Sequence, residues 1–120
     1  MDHDTMIATV HKYVEAFDKQ DMDLIREIYA DDAVVEDPVG TDPYTGIEAI
    51  CGFYEGGLGS GVKLELTGNC RCAGNSVAFP FNVVMDGLRI EIIDVFEFND
   101  AGKVVSMKAY WSEGNTVAAG

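Results

Sequence analysis

Three side chains in this sequence have the types and settings needed to move a proton. The first is Asp94, in the run Ile90-Glu91-Ile92-Ile93-Asp94-Val95-Phe96-Glu97-Phe98. Its β-branched and aromatic residues mark a strand. Alternation places Leu88, Ile90, Ile92, Asp94, Phe96 and Phe98 on one face, and Arg89, Glu91, Ile93, Val95 and Glu97 on the other. Asp94 is therefore the one charged type among apolar neighbours. A bulge or a shift of register would carry such a carboxyl to water. If it stays buried, desolvation raises its pKa by roughly 3–5 units from about 3.9, which leaves a neutral acid able to donate a hydrogen bond. The second is Asp37, before Pro38. Asp-Pro is ordinary turn chemistry. On a mobile segment above a cavity, however, a carboxylate at a strand end accepts a proton and carries it. The third is Tyr13, between Val10, Val14 and Phe17 on a helical stripe. An aromatic there is commonly core, yet a buried phenol needs a partner, and Tyr29 and Tyr54 offer one. Together the three make a donor–donor–base set in an apolar hollow, suited to proton transfer.

The elements that must position them follow from periodicity. Met6, Ile7, Val10, Tyr13, Val14 and Phe17 predict a helix from about Asp4 to Lys19. Asp21 is placed to cap a second helix through Tyr29. A short strand, Ala33 to Gly40, breaks at Pro38, which has no N–H for a ladder. A third helix spans about Gly46 to Tyr54, with the glycine-rich run after Glu55 ending it. The remainder reads as strands. Val77, Phe79, Phe81, Val83 and Met85 share a face, Asp86-Gly87 turns the chain, and Val105, Met107, Ala109 and Trp111 share a face of the last long strand. Helices first and an antiparallel sheet after them give an α+β domain of residues 1–120. A curved sheet against helices encloses a cone, with Phe79, Phe81, Met107 and Trp111 as its expected walls.

Composition narrows the ligand. The chain of 120 residues carries 21 acidic and 8 basic side chains, a net charge of −13. The basic residues are scattered, which argues against nucleic acid and against anionic membranes. An uncharged or apolar small molecule suits the balance better. No apolar run nears the roughly 18–20 residues of a membrane helix, and the first residues lack the pattern of a secretory signal, so a cytoplasmic protein is expected. Cys51, Cys70 and Cys72 are odd in number and argue against a disulfide framework. Cys70 and Cys72 share a face, but His3 and His11 are far away in sequence, so no metal site is expected.

The segments KYVEAFDKQD, YADDAVVEDPVG, GFYEGGLGSG, FPFNVVM and EIIDVFEFNDAGKVVSMKAYWSEGN span most of the chain. In that order they resemble the Δ5-3-ketosteroid isomerases of the NTF2-like superfamily, a cystatin-like α+β cone of N-terminal helices on a curved, mixed but mostly antiparallel sheet. The combination of VEDP, IIDV and AYWSE is specific to the isomerases. The resemblance implies that Asp37 is the general base and that Tyr13 and protonated Asp94 form the oxyanion hole. It implies that Tyr29 and Tyr54 support Tyr13, and that Phe81, Met107 and Trp111 bind steroid. It also implies a homodimer and chemistry needing neither metal nor organic cofactor. A carboxylic acid kept neutral in this way is the established pattern of ketosteroid isomerase.

Several features depart from the family pattern. The hairpin around Asp86-Gly87 is short, Val39 stands where an aromatic is usual, and Asp42 adds a negative charge expected to make Asp37 more basic. Two other readings compete. One is an isomerase, dehydratase or cyclase of the same fold acting on another hydrophobic ketone. The other is a non-catalytic module that binds an apolar ligand. An epoxide hydrolase of this fold typically uses an Asp–Arg–Asp cluster, a motif that Arg26, Arg71 and Arg89 do not form. Outward Val84, Ile93 and Val95 are candidates for the face between two copies.

Overall fold

The computed structural model describes residues 1–118, and its elements follow the apolar periodicities of the chain. Helix α1 (His3–Lys19) buries Met6, Val10, Tyr13, Ala16 and Phe17. Helix α2 (Met22–Ile28) starts at Asp21, whose carboxylate accepts the Asp23 N–H at 2.9 Å. Strands β1 (Tyr29–Glu36) and β2 (Tyr44–Thr45) lead into helix α3 (Ile47–Gly59). Then come β3 (Lys63–Leu66), β4 (Arg71–Ala73), β5 (Ser76–Met85), β6 (Leu88–Phe98), β7 (Val104–Tyr110), a short 3-10 turn and β8 (Thr116–Ala118).

The eight strands form one sheet in the order β2-β1-β7-β6-β5-β3, with β4 added to β5 and β8 to β6. The β1–β7 pair is parallel and the others are antiparallel. Helices α1, α2 and α3 close over one face, and the core lies between. The architecture is the mixed, mostly antiparallel α+β arrangement expected. On β6 the buried positions are Ile92, Asp94, Phe96 and Phe98, while Glu91, Ile93 and Glu97 face solvent. Met85 pairs with Leu88 across the Asp86-Gly87 turn, where Gly87 takes φ +78°, a region open to glycine. The ladder from Met85 to Ser76 runs unbroken against Leu88 to Glu97. Nothing in it lets Asp94 out.

Four local expectations change. Tyr29 does not end α2. Its N–H closes the last turn on Ile25, but its φ and ψ of −94° and 142° are extended and it opens β1. Pairing with β7 wins over helix propensity there. The strand so begins four residues before Ala33. Helix α3 continues past Tyr54 to Gly59 because Leu58, four residues on, extends the buried stripe of Ile50 and Tyr54. In β7, Glu97 pairs with Ser106 but Phe98 with Val104. The bulge at Val105 moves full burial from that residue to Val104.

Phe96 is the hub of the core. Its ring meets those of Tyr13, Phe79, Tyr29 and Phe98 at centroid distances of 5.3, 5.0, 6.2 and 6.2 Å, edge-on in each case. Phe96→Ala should lower the unfolding free energy by about 3–5 kcal/mol, whereas Asp21→Ala, which removes only a helix cap, should lower it by about 1 kcal/mol. Urea titrations of the two variants check both the size and the order of the effects.

Candidate active site

Asp37, Asp94 and Tyr13 reach one cavity by three different routes. Asp94 comes from the middle of β6, where it pairs with Ala109 of β7. On the far side of β7, β1 is in register with Glu36 opposite Lys108. The next residue, Asp37, arrives beside Ala109, and the Val39 N–H donates to the Ala109 carbonyl at 2.8 Å. The two carboxyl residues thus flank Ala109 on the inward face, about 10 Å apart by two strand spacings. Ala109 between them is small and fully buried. Tyr13 descends from α1.

The cavity measures about 270 Å³ and is mostly apolar. Tyr13, Asp37, Tyr54, Ser60 and Asp94 supply its polar side chains, and Phe17, Phe53, Val62, Leu64, Phe81, Val83, Met85 and Ile92 its walls. The phenol oxygens form a chain. Tyr54 lies 3.1 Å from Tyr13 and 2.6 Å from Tyr29. A phenol has one proton, so if Tyr13 donates into the cavity, Tyr54 must donate to Tyr13 and Tyr29 to Tyr54. Burial first, then the neighbouring Asp94, holds the Tyr13 pKa well above the usual tyrosine range, so the donor keeps its proton. Burial likewise dominates at Tyr29 and Tyr54.

Asp94 is 1% exposed, the one buried charged type among the described residues. Neither of its carboxyl oxygens has a hydrogen-bond partner among them. Burial drives its pKa well above the carboxylate range, and the charge of Asp37 pushes it further. The adjacent Tyr13 phenol offsets part of that rise without making a bond of ordinary length. Burial therefore favours the neutral form of Asp94, whose hydrogen-bonding capacity is unused among the described residues. Asp37 is less deeply placed. Burial raises its pKa, and a hydrogen bond from the Trp111 indole N–H to Oδ1, at 2.7 Å, lowers it in part. That bond favours the charged form and leaves the second oxygen free. The exposed Asp42 is not a cause of the shift, contrary to expectation.

Of the four expected wall residues, Phe81 lines the cavity. Phe79 lies behind it, with its ring stacked on Phe81 and edge-on to Tyr13, and Met107 is buried under the sheet face opposite Phe96. Neither is among the lining residues. Trp111 is tied to Asp37 rather than forming a wall. Sequence periodicity overlooked Phe53, Val62 and Leu64 as walls. The alternation of Val62, Leu64 and Leu66 was the available signal.

The raised pKa of Asp94 has a consequence for stability. Below about pH 3.9 the carboxyl is protonated in both folded and unfolded chains. As pH rises past that value the unfolded chain ionises first, and stability is lost until Asp94 ionises in the fold as well. Asp94→Asn removes this titration. The urea midpoint of the variant, relative to the unaltered protein, should climb as pH rises above about 4 and be level below. A difference constant over that range would contradict a neutral Asp94.

Comparison with known proteins places the chain. The SnoaL-like domain family matches residues 10–107. A steroid Δ-isomerase of Nocardioides simplex is 38% identical over 114 residues, covering 92% of each chain. The solved structure of SalBIII, an epoxide hydrolase/cyclase-like enzyme with a role in pyran ring formation in the polyether salinomycin, superposes with a TM-score of 0.89. It has 25% identity and covers 98% of both chains. The chain belongs to the SnoaL-like, NTF2-like family and, within it, to the steroid Δ-isomerases.

Proposed function

We propose that this protein is a steroid Δ5-isomerase that converts 3-oxo-Δ5-steroids to their conjugated 3-oxo-Δ4 isomers. The observation that carries the reading is the buried, unpartnered carboxyl of Asp94 beside Tyr13 and Asp37 in an apolar cavity. The named activity of the 38% identical relative supports it. Carbon 4 of the substrate lies between a ketone and an alkene, so its proton is weakly acidic. Asp37 takes that proton through the oxygen that Trp111 leaves free. The charge passes to O3 as a dienolate, and the same carboxyl returns the proton at carbon 6. Tyr13 and protonated Asp94 each donate to O3 as its charge grows. Donors of this kind are worth about 3–4 kcal/mol each in a site closed to water. The Tyr29–Tyr54–Tyr13 chain strengthens the first donor by polarising it. Apolar walls bind the rings and keep the local dielectric low.

The likeness to SalBIII favours a second reading, a cyclase or related enzyme acting on another hydrophobic ketone. Against an epoxide-opening chemistry of the Asp–Arg–Asp kind, none of the three arginines lines the cavity. Arg26 pairs with Glu48, Arg71 bonds the Asn69 carbonyl and Arg89 lies near Glu91. A non-catalytic binding module would need no base held by a tryptophan.

The outer sheet face leaves Ile93 and Tyr110 each 49% exposed, with Val84 and Val95 partly so. We propose this face as the contact of a homodimer, and sedimentation equilibrium at micromolar concentration should give twice the chain mass. A monomer there would reject it.

Ultraviolet absorbance of the conjugated enone tests the activity directly. With 5-androstene-3,17-dione the unaltered protein should generate the signal. Asp37→Asn should lose about 10²–10⁴-fold in kcat yet still bind steroid. Tyr13→Phe and Asp94→Ala should each lose about 10²–10³-fold and bind a phenolic dienolate mimic more weakly. Undiminished turnover by Asp37→Asn would overturn the mechanism, and steroid binding without turnover by the unaltered protein would favour the binding module.

A further inference from the structure

Helix α3 holds two adjacent glycines, Gly56 and Gly57, in its interior, and both line the cavity. Glycine is the poorest helix former after proline, so the pair weakens the element that carries Tyr54. Glycine is usually retained in a helix for one of two structural reasons, and neither applies. The first is backbone conformation. Gly56 and Gly57 are absent from the glycines with positive φ, so any L residue could take their place. The second is close packing. A Cβ on Gly56 would meet nothing within 4 Å, and one on Gly57 would meet only Phe17 Cε2, at 3.6 Å, an ordinary contact. The fold thus tolerates alanine at both positions. Gly56 is exposed, and a Cβ there meets open space; Gly57 is half-buried, and a side chain there, beside the cavity-lining Phe17, would fill the cavity.

The position of the pair along the cavity gives it meaning. Tyr54, bonded to Tyr13, marks the polar end of α3. A helix advances about 1.5 Å per residue, so Gly57 stands about 4.5 Å further along and Ser60, also lining the cavity, about 9 Å. The opposite wall runs in the same sense. From Phe79, paired with Asp94, β5 passes Phe81 and Val83 to Met85, about 20 Å along the strand. A ligand with its oxygen at Tyr13 and Asp94 has one ring beside Tyr54, and any further fused rings extend past the glycines. The unpartnered carboxyl of Asp94, 1% exposed, independently shows that a ligand atom is wanted at the polar end.

We propose that Gly57 is a specificity-determining residue, which holds the cavity wide enough for the second and later rings of a flat polycyclic ligand at the expense of helix stability. The inference rests on the oxyanion-hole reading of Tyr13 and Asp94 and extends it to the shape of the molecule accepted. A side chain at Gly57 excludes polycyclic ligands while leaving single-ring ligands alone.

Calorimetric titration of the full chain with two probes tests this: estradiol, a four-ring phenol, and phenol itself. Gly56→Ala, Gly57→Ala and Gly57→Leu are compared with the unaltered protein, each with its thermal midpoint. The alanine variants should melt higher. Estradiol affinity should hold in Gly56→Ala, fall modestly in Gly57→Ala and fall by about tenfold or more in Gly57→Leu, while phenol affinity stays within about twofold. Unchanged estradiol affinity in both Gly57 variants, equal losses for both probes, or lower midpoints for the alanine variants would each overturn the proposal. Failure of the unaltered protein to bind either phenol would instead sink the oxyanion-hole reading on which it rests. Binding of phenol but not estradiol would leave that reading standing and reject the polycyclic ligand.

Discussion

The structure is organised around a carboxyl group, that of Asp94, which is 1% exposed and which no hydrogen bond from the described residues satisfies. Leaving a polar group buried and unpaired costs about 1–3 kcal/mol, more if it is charged. At Asp94 the cost is contained by keeping the proton, since a neutral acid is far cheaper to bury than its anion. The unbroken β5–β6 ladder prevents a slip of register that would turn Asp94 to the other face.

Asp37 and Asp94 show how one fold gives two aspartates different environments. Both have raised pKa values, and burial is the first cause in each. They differ in what else touches them. Asp37 sits past the end of β1 at the cavity's edge and receives an indole N–H, which favours its ionised form. Asp94 sits mid-strand, has no hydrogen bond of ordinary length from the described residues, and feels the negative charge of Asp37. An ionised Asp37 thus disfavours ionisation of Asp94. The difference between their environments, rather than any difference in chemistry, separates their preferences for the proton.

The tyrosine chain extends the same logic away from the cavity. Tyr29 and Tyr54 are almost fully buried, and their hydroxyls are satisfied by one another and by Tyr13. They join three separate elements, β1, α3 and α1, through a single polar thread in an apolar core. Such a thread specifies how the helices sit on the sheet, because any other packing would orphan at least one phenol. The same arrangement satisfies the buried phenols and ties Tyr13 to the sheet through Tyr54 and Tyr29.

Much of this was legible in the chain itself. Period-2 alternation determined that Asp94 shares a face with Ile92 and Phe96, and period-3.6 spacing determined that Tyr13 faces inward, because both are properties of local backbone geometry. The quoted family motifs extended that reading to the roles of Asp37 and the tyrosines. What local pattern did not contain was anything depending on which strands become neighbours. Trp111 reads as a wall residue, yet a parallel β1–β7 pairing across more than seventy residues of chain makes it the partner of Asp37. Tyr29 reads as helix, yet the same pairing draws it into a strand. Phe79 and Met107 share the inward face with Phe81 but lie behind the cavity, since the inward face of a curved sheet serves as core in one place and as binding wall in another. The glycines of α3 read as a helix stop, and only the packing of Leu58 carried the helix through them. Sequence determined which face each side chain takes; tertiary structure alone decided what stands opposite it, because strand order and sheet curvature are set by long-range burial and not by neighbours along the chain.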